Sequence, residues 1–223
     1  AYSISPNGER LLVTARGDIF SVPSKAGVTY NLSNSCESNE KFGSWSPDGQ
    51  SIAYVSDKGG EFNIYIKELK SGVEKQLTNV KTNILGIEWS PDSKSILWSD
   101  KNNNLTITDV KTGSETLVEK SEISPMNDYN WSPDSKLIIF TRPGKTVSTI
   151  VVYNIADKQK IQITDEWYSS GGGNFSKDGK HIVFTSARTF NPTYSNTEWN
   201  HGYTNMNKIY VLPITKDTEV RFV

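Results

Sequence analysis

Cysteine is nearly absent: Cys36 stands alone among 223 residues. No internal disulfide can form, and no thiolate cluster can hold a metal. Histidine is almost as scarce. His181 and His201 are the two in the chain, and neither has a partner at metal-ligand spacing. Charge is balanced, with 24 Lys and Arg against 25 Asp and Glu. Without a basic stripe, neither nucleic acid nor anionic membrane is an expected partner, because both need clustered cations. No apolar run approaches the roughly 20 residues of a bilayer-spanning helix, so membrane insertion is not expected. Amphipathic helical periodicity of useful length is missing too. No signal peptide is evident, and Ala1 opens in mid-motif, so the natural N-terminus is expected upstream.

What the sequence does have is a rhythm. Ser5-Pro6-Asn7-Gly8, Ser46-Pro47-Asp48-Gly49, Ser90-Pro91-Asp92-Ser93, Ser132-Pro133-Asp134-Ser135 and Ser176-Lys177-Asp178-Gly179 repeat one turn motif. Their serines lie 41, 44, 42 and 44 residues apart. A period just above forty, with turn chemistry in every copy, marks a β-propeller with one four-stranded blade per copy. In the second copy, proline presets φ, the aspartate caps the turn and glycine takes the left-handed residue. The chain then reverses into Ser51–Ser56, turns at Asp57–Gly60, runs through the alternating Asn63–Leu69 and ends on Glu74–Thr78. The other copies follow the same frame, giving repeats of about 1–33, 41–78, 85–118, 127–164 and 171–222 within one propeller segment spanning 1–223. The last copy should close on Glu219–Phe222. Ser93 and Ser135 replace glycine, and a serine held at positive φ costs about 1 kcal/mol. The expected fold is all-β. Five copies suit either a small closed ring or part of a larger one, and an open series would expose the faces of its terminal blades.

One irregularity carries the candidate site. About twenty residues, Ala187 to Asn207, separate the second and third strands of the fifth copy, where the others use a short turn. They hold Phe190, Tyr194, Trp199, His201 and Tyr203, which are the expected contacts for a substrate or a neighbouring domain. The alternative is that these rings cover the blade rim. On blade topology the insertion leaves the face opposite the Ser-Pro-Asp-Gly turns. No residue is expected to be catalytic. Ser195 lies near His201 but lacks a nucleophile-elbow pattern. Trp45, Trp89 and Trp131 occupy equivalent positions and are expected to pack between blades. Gly171-Gly172-Gly173 precedes no helix, so close backbone packing is favoured over a phosphate loop. Neither a cofactor nor a metal is implied.

The stretches Ile4–Arg10 and Ala15–Pro23 do more than mark a blade, and Thr29–Ser33, Trp45–Gly49 and Ile52-Ala53-Tyr54 continue them. With Phe190–Tyr194 and Glu198–His201, the chain resembles the second, seven-bladed propeller of tricorn-type proteases. The resemblance implies five of seven blades of a non-catalytic module in a self-assembling, prokaryotic serine protease. It implies cytoplasmic localisation, with a periplasmic one left open. The expected partners are the remaining domains of the parent protease, peptide substrates in transit, and further copies of the full-length chain. In that family the seven-bladed ring is thought to admit peptides along its axis and to close without an interlocked strand. The family's nucleophile, histidine and oxyanion donors fall on no residue here. Ser-Pro-Asp-Gly blades are also shared with TolB, so a stand-alone protein-interaction propeller is the alternative.

Overall fold

A serine hydroxyl organises each first turn. In the computed structural model, which describes residues 2–35, 37–189, 192–194, 201–203, 206–215 and 218, all five motif copies are built alike. Ser46 Oγ donates to Asp48 Oδ1 at 2.6 Å and accepts the Ser51 N–H at 2.9 Å. Gly49 N–H returns to the Ser46 carbonyl at 2.9 Å. Ser5, Ser90, Ser132 and Ser176 repeat both hydroxyl bonds. The fourth position is left-handed throughout. Gly8, Gly49 and Gly179 lie at φ 70°, 71° and 69°, and Ser93 and Ser135 both lie at 61°. The expected positive φ of the two serines is therefore present.

The chain divides into two compact units, residues 1–120 and 121–223. In the first, three antiparallel meanders follow one another. The first runs through β1 (Tyr2–Ile4), β2 (Arg10–Ala15), β3 (Asp18–Pro23) and β4 (Tyr30–Asn31). The second contains β5 (Glu40–Trp45), β6 (Ser51–Ser56), β7 (Asn63–Glu68) and β8 (Glu74–Gln76). The third contains β9 (Ile84–Trp89), β10 (Ser95–Asp100), β11 (Asn104–Asp109) and β12 (Glu115–Lys120). In the second unit, β13 (Tyr129–Trp131), β14 (Leu137–Arg142), β15 (Thr149–Asn154) and β16 (Lys160–Gln162) form the fourth sheet. The fifth has three described strands, β17 (Ser170–Phe175), β18 (His181–Ser186) and, after the insertion, β21 (Lys208–Pro213). Its expected outer strand, Glu219–Phe222, lies outside the described residues. Among the described residues every regular element is a strand.

The middle strand of the second sheet, β6, is apolar on both faces because it is sandwiched. Ile52 and Tyr54 of β6 meet Leu12 and Ile19 of the first sheet. Ala53 and Val55, pointing the other way, join Trp89, Ile96 and Trp98 of the third. This explains why Ile52–Val55 reads as a continuous apolar run rather than an alternation. In the second unit, Ile139, Ile150 and Val152 pack on Ile182 and Phe184. Each such side chain contributes about 1.5–3 kcal/mol on full burial. The Trp89 indole, 6% exposed, donates to the Ser44 carbonyl at 3.4 Å, tying the third sheet to the second as expected of a blade-packing tryptophan.

Two inner strands, β5 and β17, approach the preceding blade through a bulge. The register of β5 shifts between Lys41 and Ser44, and that of β17 between Gly171 and Asn174. Phe42 (φ 55°) and Gly172 (φ 67°) take the left-handed position in the two bulges. The next residue is glycine in both. A Cβ on Gly43 would stand 3.1 Å from Leu12, and one on Gly173 would stand 2.9 Å from Ile139 Cδ1. The triple glycine of the fifth copy is thus a close-packing device.

Candidate functional site

In an antiparallel meander, the first and third connections share one face and the second lies on the other. In the second unit, the face opposite the Ser-Pro-Asp-Gly turns therefore carries the β14–β15 turn, the β16–β17 connector and the fifth-copy insertion. The three are laced together. Ser170 N–H donates to the Ser148 carbonyl at 2.9 Å, and Ala187 N–H donates to the Ser169 carbonyl at 3.0 Å. Beneath them, the buried Ser170 and Ser186 hydroxyls meet at 2.9 Å.

Arg188 marks the base of the insertion. Its guanidinium lies 3.4 Å from Asp165 Oδ2 and stands over the rings of Tyr168 and Tyr210, at 5.8 and 5.6 Å from their centroids. The aromatic contacts add to an ion pair that would contribute little by itself at the surface. Beside it, Trp167 is 83% exposed, which is unusual for so large an apolar ring. Between the β14–β15 turn and the connector lies a cavity of about 380 Å³ lined by Arg142, Lys145, Thr146, Thr149 and Glu166. Gly144 shapes its wall. A Cβ there would fall 2.1 Å from the Val147 carbonyl oxygen, so the turn as built excludes any side chain at that position.

The predicted insertion residues are only partly visible. Phe190 and Trp199 lie outside the described residues. Within the insertion, β19 (Pro192–Tyr194) and β20 (His201–Tyr203) form a hairpin, with Tyr194 opposite His201 and Pro192 opposite Tyr203. Ser195 is outside the described residues. His181 Nδ1 lies 4.0 Å from Asp178 Oδ1, and the nearby Ser176 hydroxyl is occupied by the turn. Among the described residues, no three His, Cys, Asp or Glu groups converge as metal ligands would. Sequence reasoning missed Arg142, Lys145, Trp167 and Arg188. A Trp-Tyr pair in a polar connector was the available signal.

The first unit has its own groove, lined by residues that follow β8 and by residues of the third sheet. Two adjoining cavities of about 640 and 520 Å³ share Val80, Lys81 and Glu115. Partial desolvation beside this groove raises the Glu115 carboxyl above its ordinary range, although the residue as a whole is exposed. Deeper in the second sheet, Glu40 is 2% exposed and accepts hydroxyl bonds from Ser35, Ser38 and Ser56 at 2.7–2.9 Å. Tyr54 and Lys58 both contact Glu74, and Lys58 stands 3.9 Å over the Tyr65 ring. Burial raises the Tyr54 phenol and lowers the Lys58 ammonium. These groups satisfy one another, and the arrangement braces the sheet.

Comparison with known proteins bears on what these surfaces serve. The model of the family described as the tricorn protease second beta propeller domain matches residues 1–223. The tricorn protease of Thermoplasma volcanium is 21% identical over 222 residues, covering 96% of this chain and 21% of its own. The crystal structure of the tricorn protease superposes with a TM-score of 0.86 at 17% identity, covering 98% of this chain and 23% of that one. TolB from Acinetobacter baumannii gives a TM-score of 0.58 at 21% identity, covering 95% and 51%. At such identities these likenesses establish the propeller fold. The chain spans about a quarter or less of the tricorn relatives it matches.

Proposed function

The chain belongs to the family of tricorn protease second beta propeller domains, and from that premise we propose that it is a non-catalytic module that scaffolds a larger serine protease and governs peptide access to it. The observation that carries this reading is the face described above. An aromatic-rich insertion and an exposed Trp167 sit on a rigid sheet framework, away from the turns that hold the blades together. Binding residues are commonly placed on loops that a scaffold positions in this way. Phe190, Tyr194, Trp199, His201 and Tyr203 are the proposed contacts of the insertion with peptide in transit or with a neighbouring domain. The chemistry belongs to segments outside this chain, and the remaining domains of the parent protease are its proposed partners, with assembly into a homo-oligomer at full length.

The test uses the full-length protease with residues 190–207 replaced by a short turn. The variant should keep its kcat/KM on a chromogenic dipeptide and lose about tenfold on peptides longer than ten residues. That loss corresponds to about 1.4 kcal/mol of transition-state free energy. An equal loss on both substrates, or no loss on either, would refute the access role. Hydrolysis by the propeller segment alone would refute the non-catalytic one.

A further inference from the structure

Among the described residues, the third sheet has the longest outer strand. β4, β8 and β16 have two or three residues, whereas β12 has six. A short edge strand leaves few backbone groups for another chain to pair with, and a long one is a template. The ladder shows which groups β12 leaves free. Asp109 N–H donates to the Ser114 carbonyl at 2.9 Å, so these two residues face each other as a bonded pair. Antiparallel pairing alternates. Thr116, opposite Ile107, therefore bonds inward, and Glu115 and Leu117 turn their N–H and C=O groups outward. No described residue bonds those outward groups. Further along, the Glu119 carboxylate accepts the Lys120 N–H at 3.1 Å and closes the edge. The side chains of Glu115 and Leu117 line the first unit's groove, and Leu117 is 56% exposed. Three carboxylates, Glu61, Asp100 and Glu115, face that groove with one cation, Lys81, so two negative charges remain. Asn104 already holds Asp100. Glu115 forms no ion pair among the described residues, and its desolvation is left uncompensated.

We propose that β12 accepts an extended segment of a partner protein as an added antiparallel strand, with an apolar residue against Leu117 and a Lys or Arg two residues later against Glu115. Directly opposed residues share one face of a sheet, so both partner side chains enter the groove. In this mode main-chain bonds supply affinity and alternate side chains supply selectivity. A second copy of this chain fits less well, because pairing β12 with itself about Thr116 sets Glu115 against Leu117. The assignment does not rest on the access role, since it lies in the first unit and uses none of the insertion residues.

Fluorescence anisotropy of a labelled, end-capped octapeptide titrated with this chain tests it. The peptide carries valine, threonine and lysine in that order at its centre, with serine or threonine elsewhere, and it should bind. N-methylation of the valine and lysine amides, which would face β12, should weaken binding about tenfold. N-methylation of the central threonine amide, which would face away, should weaken it much less. Glutamate in place of lysine should also weaken binding about tenfold, and Glu115→Lys should reverse the preference in favour of the glutamate peptide. Glu115 is exposed, and an unchanged thermal melt would show that the variant folds. Indifference to which amide is methylated, equal binding of the lysine and glutamate peptides, an unreversed preference in Glu115→Lys, or no binding at millimolar concentration would each overturn the assignment. Efficient disulfide cross-linking of two Thr116→Cys copies through that position would assign the edge to self-pairing and overturn it as well.

Discussion

Placing a methyl group on Gly173 should open the packing between the fourth and fifth sheets. The added Cβ would lie 2.9 Å from Ile139 Cδ1, 3.0 Å from its Cγ1 and 3.3 Å from Ile150 Cδ1. Ordinary carbon contacts are about 3.5–4.0 Å, so all three are too close. Ile139 and Ile150 are fully buried and have little room to withdraw. Overpacking of this kind costs about 1–3 kcal/mol. A value near 2 kcal/mol would lower the melting temperature by roughly 4–8 °C in a chain of this size. Ile139→Val removes the atom closest to the new methyl at a cost of about 0.5–1.5 kcal/mol. The double variant Gly173→Ala/Ile139→Val should therefore be more stable than the two single effects predict, by about 0.5–2 kcal/mol of coupling. Urea unfolding of the four proteins measures this. Strict additivity, or a Gly173→Ala chain as stable as the parent, would refute the close-approach account of the inner strand.

Three further outcomes are expected. Ser93→Gly should change stability by less than about 0.5 kcal/mol, because relief of the left-handed serine is offset by loss of the 3.1 Å bond that its hydroxyl accepts from Asp48 N–H; denaturant titration measures it. Stability should fall as the pH drops below about 4. Hydroxyl bonds from Ser132 and Ser176 hold Asp134 and Asp178 below the usual carboxylate range, so their contribution is present above the unfolded value and is lost as pH falls through the folded ones. Asn at both positions should flatten this acid limb in pH-dependent melts. The isolated chain should associate with rising concentration through the free face of its first sheet, where Tyr2 and Ile4 are 75% and 60% exposed. Light scattering should show this, and Tyr2→Ser/Ile4→Ser should reduce it; a strictly monomeric parent would count against it.

The blade frame was legible because its signals are local. Each Ser-Pro-Asp-Gly turn bonds within six residues, so its serine, proline, aspartate and glycine announce it directly. Outer strands were harder to bound. Sequence extends the second one to Thr78, yet β8 ends at Gln76. The Thr78 side chain explains the difference: its hydroxyl accepts the Ile64 N–H at 2.9 Å, and Thr164 does the same for Ile150. Side-chain bonds there take over from the strand ladder. Phe42 at φ 55° was not foreseeable, since only its packing against the second core favours a bulky residue in that bulge. The cavity lined by Lys145 and Glu166 was equally hidden. Its lining comes from two loops some twenty residues apart, and only the finished sheet brings them together.

Since every complete four-stranded sheet here is wound from consecutive segments in the order they leave the ribosome, no blade waits for a distant terminus before it can form. Within each unit, synthesis can therefore proceed one meander at a time, each newly emerged hairpin zipping up on the apolar flank of the sheet before it in that unit. A growing unit built this way shields its sticky surfaces progressively, leaving its most recent flank as the one that chaperones need to guard.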